Sequence, residues 1–139
     1  MPLTKQDREE FLAEKRIGAL SVTGEPGRGP VTVPIWYHYT PGGRLWILTE
    51  AASRKVALIR AAGRFTLMVE RVKPSIRYVS VEGPVTRIDS ATDEDRRTMT
   101  YRYLSGEAAE RYLEFAAQHM GEEVVVEMRP ERWLSADLG

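Results

Sequence analysis

VTVPIWYHYTPGGRLWILTEAASRKVALIR (residues 31–60) is the stretch that decides the fold. It contains two runs rich in β-branched and aromatic residues, residues 31–39 and 44–49, joined by a Thr-Pro-Gly-Gly turn. Such runs around a short glycine-containing loop predict a β-hairpin. Residues 52–62 then place apolar side chains on one side and basic ones elsewhere. They predict a short helix that packs on a sheet and ends at Gly63.

The segments on either side of this stretch alternate between strand and helix patterns. We predict a short helix over residues 4–15, a helical segment over residues 92–121 that breaks at residues 105–106, and a bulge or bend at residues 83–84. Four further strands are predicted, over residues 17–23, 64–72, 75–89 and 123–134. Six strands connected mostly as sequential hairpins predict an α+β fold. We expect a single domain, a mostly antiparallel barrel with short helices at its rim.

Charge and composition exclude several classes of protein. Lys plus Arg equals Asp plus Glu at 20 each, so no chain-wide attraction to nucleic acid or to an anionic membrane is available. The absence of cysteine removes disulfides and thiolate chemistry, and two histidines make a poor metal site. The charged N-terminus lacks a signal sequence, and no apolar run approaches the roughly 20 residues that span a bilayer. We expect a cytoplasmic protein that binds no metal, nucleic acid or membrane.

The common catalytic motifs are missing. The chain has no Walker loop, no G-x-G-x-x-G, no His-Glu-x-x-His and no G-x-S-x-G. His38 and His119 are interpreted as structural or solvent-exposed, because no Ser or Asp partner can be assigned to either of them. No catalytic residue is therefore predicted.

The triplet Ser53-Arg54-Lys55 lies where a strand ends and a helix begins. Free backbone N–H groups and the helix dipole favour an anion at such a place, and the triplet adds a hydroxyl, a guanidinium and an ammonium group. Basic residues in a first helical turn oppose the dipole at a cost of up to about 1 kcal/mol, which a bound anion would reverse. The triplet therefore predicts a phosphate site. The alternative is an ordinary solvated first turn.

Val33-Pro34-Ile35-Trp36 places a proline inside a strand. Proline removes one ladder donor, so this strand is predicted to be an edge strand or to contain a bulge. The exposed backbone and the apolar side chains would suit a flat heterocycle such as an isoalloxazine ring. The alternative is that the aromatic residues of this region belong to a core or a dimer interface; they are Trp36, Tyr37, Tyr39 and Trp46.

In order and spacing, these pieces resemble the pyridoxamine 5′-phosphate oxidase-like, flavin-binding split β-barrel superfamily. They are most similar to its small members that use FMN or the deazaflavin coenzyme F-420. The resemblance covers nearly the whole chain, through the segments RIGALSVT, PVTVPIWYHY, GGRLWILTEAASRKVALIR, RFTLMVE and RYVSVEGPVTRI. It implies a split barrel that forms a homodimer with the cofactor at the interface.

The resemblance also implies the residues of the cofactor site. It nominates four residues for the phosphate, namely Thr49, Ser53, Arg54 and Lys55. It nominates Val33, Pro34, Ile35 and Trp36 for the ring, and from the second subunit it nominates Arg77, Tyr78 and Trp133.

Three departures from the family pattern bear on the activity. Tyr78 stands where authentic pyridoxamine phosphate oxidases have a glutamine, and the chain ends in RPERWLSADLG instead of their substrate segment. Oxidation of a vitamin phosphate is therefore not expected. Ala61-Ala62-Gly63 replaces the family's aspartate-proline, so the choice of cofactor stays open.

The expected function is that of a homodimeric oxidoreductase that binds FMN or F-420 and transfers hydride to or from a small hydrophobic or conjugated substrate. The anionic tail of F-420 would extend along further positive charge such as Arg60 or Arg71. The alternative is a non-catalytic protein of the same fold that stores or senses a flavin, a haem or a related tetrapyrrole.

Overall fold

Eight strands and four helices form the chain in the computed structural model, which describes residues 1–139. The strands are β1 Gly18–Val22, β2 Val31–Ile35, β3 Tyr37–Tyr39, β4 Leu45–Glu50, β5 Arg64–Arg71, β6 Arg77–Ser90, β7 Glu123–Met128 and β8 Arg132–Asp137. The helices are α1 Lys5–Ala13, α2 Arg54–Ala62, α3 Asp93–Tyr103 and α4 Gly106–His119. The α+β class and the helical break at residues 105–106 are confirmed, but the predicted number of six strands is too low. No helix has the length and apolar character needed to cross a bilayer.

All strand pairs are antiparallel, and the strands follow one another in the order β2-β1-β5-β6-β7-β4-β3. The eighth strand, β8, pairs with the first part of β6. The two outer strands of this order, β2 and β3, are consecutive in the chain. The sheet is therefore curled into a split barrel, and its two edges meet at Trp36.

The first additional strand arises because residues 31–39 do not form one strand. Residues 31–35 pair with β1, whereas residues 37–39 pair with β4. The predicted hairpin is thus confirmed only for β3 and β4. Pro34 lies on β2, whose second side has no partner strand. This confirms the predicted edge strand, since proline has no N–H to donate to a ladder.

The second additional strand arises because the predicted final strand, residues 123–134, is interrupted at Pro130. Around this proline the backbone N–H groups of Arg129 and Glu131 donate to the carbonyl oxygens of Pro84 and Glu82. The chain thereby moves from pairing with β4 and the second part of β6 to pairing with the first part of β6.

The long strand β6 belongs to both halves of the barrel. Residues 77–82 pair with β8, and the register with β7 shifts between Val85 and Arg87. The predicted irregularity at residues 83–84 is therefore found one to two residues further along. Glycine at position 83 permits the backbone of Arg129 to approach β6 closely, because a Cβ built on Gly83 would overlap the carbonyl oxygen of Arg129.

One core fills the barrel. Its 19 buried residues include Phe11 and Leu12 of α1 and Val56 and Ile59 of α2, so both short helices close the barrel with their apolar sides. The side chain of Ser53 caps α2 by accepting a hydrogen bond from the N–H of Val56. The N–H of Ser53 donates to the carbonyl oxygen of Glu50 at 3.0 Å, which holds the start of α2 close to the end of β4.

We predict that Gly83→Ala lowers the free energy of unfolding by about 2 to 3 kcal/mol, because the added methyl group must displace a backbone carbonyl. Urea denaturation monitored by circular dichroism measures the change. Gly29→Ala is the matched control, since a Cβ at Gly29 meets no atom within 4 Å. Equal stability of the two variants would contradict the proposed close approach.

Candidate functional site

A cavity of about 590 Å³ opens at the seam where the two edges of the barrel meet. Its walls come from β2, the end of β4, the start of α2, and the helices α3 and α4. Ligand sites of proteins commonly enclose about 300 to 1,000 Å³. The cavity is therefore large enough for a small-molecule ligand.

The polar end of the cavity is formed by Thr49, Glu50, Ser53 and Lys55. The ammonium of Lys55 donates a hydrogen bond to the buried hydroxyl of Thr49, with 2.7 Å between Nζ and Oγ1. No carboxylate lies within ion-pair distance of this ammonium group. Lys55 thus carries the free positive charge of the cavity.

Burial lowers the pKa of Lys55 below its ordinary value, and the nearby carboxylate of Glu50 opposes this shift. A desolvated ammonium group gains more from an added anion than one in water does, because the surrounding dielectric is lower. This end of the cavity is therefore suited to a phosphate or carboxylate group.

Arg54 does not line the cavity. Its guanidinium lies 3.4 Å from a carboxylate oxygen of Glu25, and both side chains are more than half exposed. Successive helical residues point about 100° apart, so Arg54 and Lys55 point in different directions. The phosphate residues predicted from the sequence are thus divided: Thr49, Ser53 and Lys55 are together in the cavity, and Arg54 is at the surface.

The apolar wall contains Val33, Pro34, Ile35 and Trp36, all of which line the cavity. They lie on and beside the unpaired edge of β2. The indole of Trp36 stacks on the ring of Tyr103 at 4.7 Å and packs against Tyr112 at 5.0 Å. Helices α3 and α4 therefore hold Trp36 in place.

The opposite wall comes from α3 and α4, which the sequence interpretation did not assign to the site. Its cavity-lining residues are Arg96, Met99, Thr100, Tyr112, Leu113, Ala116 and Met120. The apolar members recur at intervals of three or four along α4, which is the signal that could have identified them. Phe115, on the other side of α4, is 52% exposed and stacks on His119.

Arg96 is a second cation of the cavity, but its charge is neutralised. It lies 3.1 Å from a carboxylate oxygen of Asp93 and 3.2 Å from one of Glu123. The end of the cavity near α3 and α4 is thus without free positive charge.

The hydroxyl of Tyr103 joins α3 to the strand break. It accepts a hydrogen bond from the N–H of Tyr37 at 3.1 Å and lies 2.7 Å from the carbonyl oxygen of Arg16, to which it can donate. Arg102 adds two hydrogen bonds to the carbonyl oxygens of Ala13 and Glu14, at the end of α1. These contacts fix the helical wall against the strand wall.

The family model described as pyridoxamine 5′-phosphate oxidase matches residues 4–136. The chain belongs to this family. No curated protein sequence matches this member of the pyridoxamine 5′-phosphate oxidase family.

Solved structures show the same fold. A conserved hypothetical protein from Mycobacterium tuberculosis is 24% identical with a TM-score of 0.72, over 97% of this chain and 85% of that one. An F-420 reductase is 19% identical with a TM-score of 0.63, over 91% of this chain and 94% of that one. A FAD-binding protein from Mesorhizobium loti is 17% identical with a TM-score of 0.64, over 100% of this chain and 98% of that one. At these identities the similarity establishes the fold of the family and nothing finer.

The three residues nominated from the second subunit do not reach the cavity of their own chain. Arg77 donates to Asp137 at 2.8 Å, and Trp133 packs against Tyr39 below α1. Tyr78 lies on the opposite face of β6, because neighbouring side chains of a strand point to opposite sides. Of the three, only Tyr78 is on the face of the sheet that no helix covers.

The basic residues expected along an F-420 tail are also elsewhere. Arg71 hydrogen-bonds to Ser75 and lies 3.9 Å from Asp137. The pKa of Asp137 is lowered to about 2, first by the hydrogen bond from the N–H of Gly139 and then by that from Arg77. Arg60 is exposed on α2 and does not line the cavity.

Neither histidine lines the cavity. His38 stacks on Trp46 at 5.1 Å, and burial lowers its pKa. The Nδ1 atom of His119 lies 3.0 Å from the carbonyl oxygen of Phe115 in its own helix, to which a protonated Nδ1 donates a hydrogen bond. The cavity therefore contains no imidazole that could move a proton at neutral pH.

We predict that Tyr103→Phe lowers the free energy of unfolding by about 1 to 3 kcal/mol, because the N–H of Tyr37 and the carbonyl of Arg16 lose their shared partner. Urea denaturation measures this loss. Tyr101→Phe, two residues earlier in α3, removes an exposed hydroxyl and is the matched control. A loss of stability in the control as large as in Tyr103→Phe would contradict a special role for Tyr103.

Proposed function

We propose that this family member binds FMN, or alternatively coenzyme F-420, and transfers hydride to or from a small hydrophobic or conjugated substrate. One observation carries the proposal. A single cavity combines the apolar edge of an unpaired strand with a partly buried lysine ammonium that has no ion-pair partner. A flat ring attached to a phosphate requires this combination.

The phosphate end is supported by three kinds of donor. Lys55 supplies an ammonium group, Thr49 and Ser53 supply hydroxyl groups, and the first turn of α2 supplies backbone N–H groups at the positive end of the helix dipole. Arg54 adds charge only from the surface, where Glu25 already pairs with it. We assign the principal charge interaction to Lys55.

The ring end is supported by the wall of Val33, Pro34, Ile35 and Trp36. The unpaired edge of β2 leaves backbone groups available to the polar rim of a flavin, and the side chains cover its apolar face. Of the cations considered for a longer anionic tail, Arg96 is neutralised, Arg71 is paired with Asp137, and Arg60 does not line the cavity. A short phosphate tail is therefore the better match, and FMN is our first choice.

The apolar residues of α3 and α4 face the wall of β2 across the cavity and leave room for a substrate beside the ring. Met99, Leu113 and Met120 offer no charged group to such a substrate. The bound flavin or deazaflavin would supply the hydride chemistry, while the protein orients the ring, captures the phosphate and excludes water. This division of roles accounts for a cavity without an acid-base dyad.

A homodimer is proposed on the uncovered face of the sheet. Five cross-strand neighbours form one row on it, namely Pro34, Ala19, Met68, Ser80 and Leu134. Their side chains are small or apolar, and Leu134 is 65% exposed. A groove with Met68 and Pro34 in its walls shares Ile17, Val33 and Pro34 with the cavity. A second copy bound to this face would border the cofactor site and bring its Tyr78 to the interface.

We predict that Lys55→Ala weakens FMN binding about 10- to 100-fold, because a charge-assisted hydrogen bond contributes about 1.5 to 3 kcal/mol. Arg54→Ala is the matched control in the same turn and should change the dissociation constant by less than about threefold. Titrations of FMN, F-420 and haem, followed by fluorescence and absorbance, measure both effects. Unchanged FMN and F-420 binding in Lys55→Ala would overturn the phosphate assignment, and failure of all three cofactors to bind would overturn the proposed function.

We predict that the chain is a dimer of about twice its 15.8 kDa mass and that Ser80→Arg converts it to a monomer, because a charged side chain is introduced into the small, apolar row between Met68 and Leu134. Size-exclusion chromatography with light scattering measures the mass. Gln118→Arg, on the exposed side of α4, is the control and should remain dimeric. A monomeric wild-type chain would overturn the proposed interface.

A further inference from the structure

We propose that a second pocket, separate from the cofactor cavity, binds a phosphate or carboxylate group attached to a flat ring. This basic pocket has a volume of about 370 Å³ and lies between α1, the turn from β3 to β4 and the start of β8. Its lining residues are Lys5, Arg8, Glu9, Tyr39, Gly42, Gly43, Arg44, Arg129, Pro130 and Trp133.

The charges of the basic pocket are unbalanced. It contains four cationic side chains and one carboxylate, that of Glu9, which lies 2.6 Å from the ammonium of Lys5. Arg129 pairs with Glu131 at 3.5 Å. Arg8 and Arg44 form no ion pair and no side-chain hydrogen bond within the chain. Two free guanidinium groups that share one pocket repel each other, so an anion between them would be favoured.

The guanidinium of Arg8 is held in a defined orientation. It lies 4.6 Å from the centre of the Trp133 ring, at cation–π distance. Arg8 is partly buried, and its Nε is shielded from solvent without a hydrogen-bond partner. A planar group oriented in this way can donate two parallel hydrogen bonds to a phosphate or carboxylate with little further loss of freedom.

The aromatic residues of the basic pocket indicate what accompanies the anion. The ring of Trp133 is only partly buried, and Tyr39 packs edge-on against it at 6.3 Å. The hydroxyl of the buried Tyr39 accepts a hydrogen bond from the N–H of Gly42 and has no acceptor for its own proton. A ligand with a flat ring would contact Trp133, and an oxygen atom on it could accept the proton of Tyr39.

The basic pocket does not depend on the proposed oxidoreductase function. It shares no lining residue with the cofactor cavity. Arg44 precedes β4, whereas Leu48 in the cavity lies four residues further along, a distance of about 13 Å on an extended strand. The anion would therefore be a different group from the phosphate that Lys55 is proposed to hold.

Phenyl phosphate is the probe for the basic pocket, measured by calorimetry and by amide chemical shifts on the full chain. We expect it to bind the wild-type chain more tightly than inorganic phosphate does. The double substitution Arg8→Gln with Arg44→Gln should weaken binding at least about tenfold, because two charge-assisted contacts are removed. Lys55→Ala should leave the affinity unchanged, which separates this pocket from the cofactor cavity.

Two controls keep the test independent of folding. Arg44→Gln alone changes an exposed side chain and should weaken binding at least about threefold with the melting temperature unaltered. Arg60→Gln removes an exposed guanidinium outside both cavities and should have no effect. Absence of phenyl phosphate binding, unchanged affinity in the double variant, or loss of binding in Lys55→Ala instead would each overturn the proposal.

Discussion

The hydrogen bonds of the Tyr103 hydroxyl with the backbone at Tyr37 and Arg16 are the contacts on which the rest of the site depends. At Trp36 the chain leaves one half of the split barrel for the other, so the backbone beside it has no continuous strand ladder. A buried backbone group without a partner is costly, and Tyr103 supplies that partner from α3. The same contact positions the helical wall of the cavity against its strand wall. The contact that closes the barrel at Trp36 therefore also forms the cavity.

This constraint explains why the cavity lies where it does. The seam between β2 and β3 leaves one edge of β2 unpaired, and the curl of the sheet brings the end of β4 and the start of α2 to the same place. Apolar surface and a partly buried ammonium are therefore neighbours in space although about 20 residues separate them in the chain. The uncovered face of the sheet begins at Pro34, so the proposed dimer interface and the proposed cofactor site share a border.

Much of the candidate site could be predicted from the sequence, because its signals are local. A proline in a strand indicates an edge, and a hydroxyl with basic residues at a helix start indicates an anion site; Pro34, Ser53 and Lys55 do lie in one cavity. Arg54 was equally prominent in the sequence, but it pairs with Glu25, a residue about 30 positions away. The α3–α4 wall was not assigned to the site, since its apolar spacing fits any buried surface. Arg77 and Trp133 were assigned to the cofactor site by resemblance alone. In the structure both side chains lie on the side of the sheet that α1 covers.

The sequence by itself determined the fold class, the four helices, the edge character of β2 and membership of the family, because periodicity, turn residues and caps act over a few neighbouring positions. Only the tertiary structure decided that there are eight strands, since the breaks at Trp36 and Pro130 follow from the curl of the sheet and from partners far along the chain. The tertiary structure alone also decided which basic side chains lack an ion-pair partner. Lys55, Arg8 and Arg44 lack one, whereas Arg54, Arg96 and Arg77 have one, because neutralisation depends on which distant carboxylates the fold brings within reach.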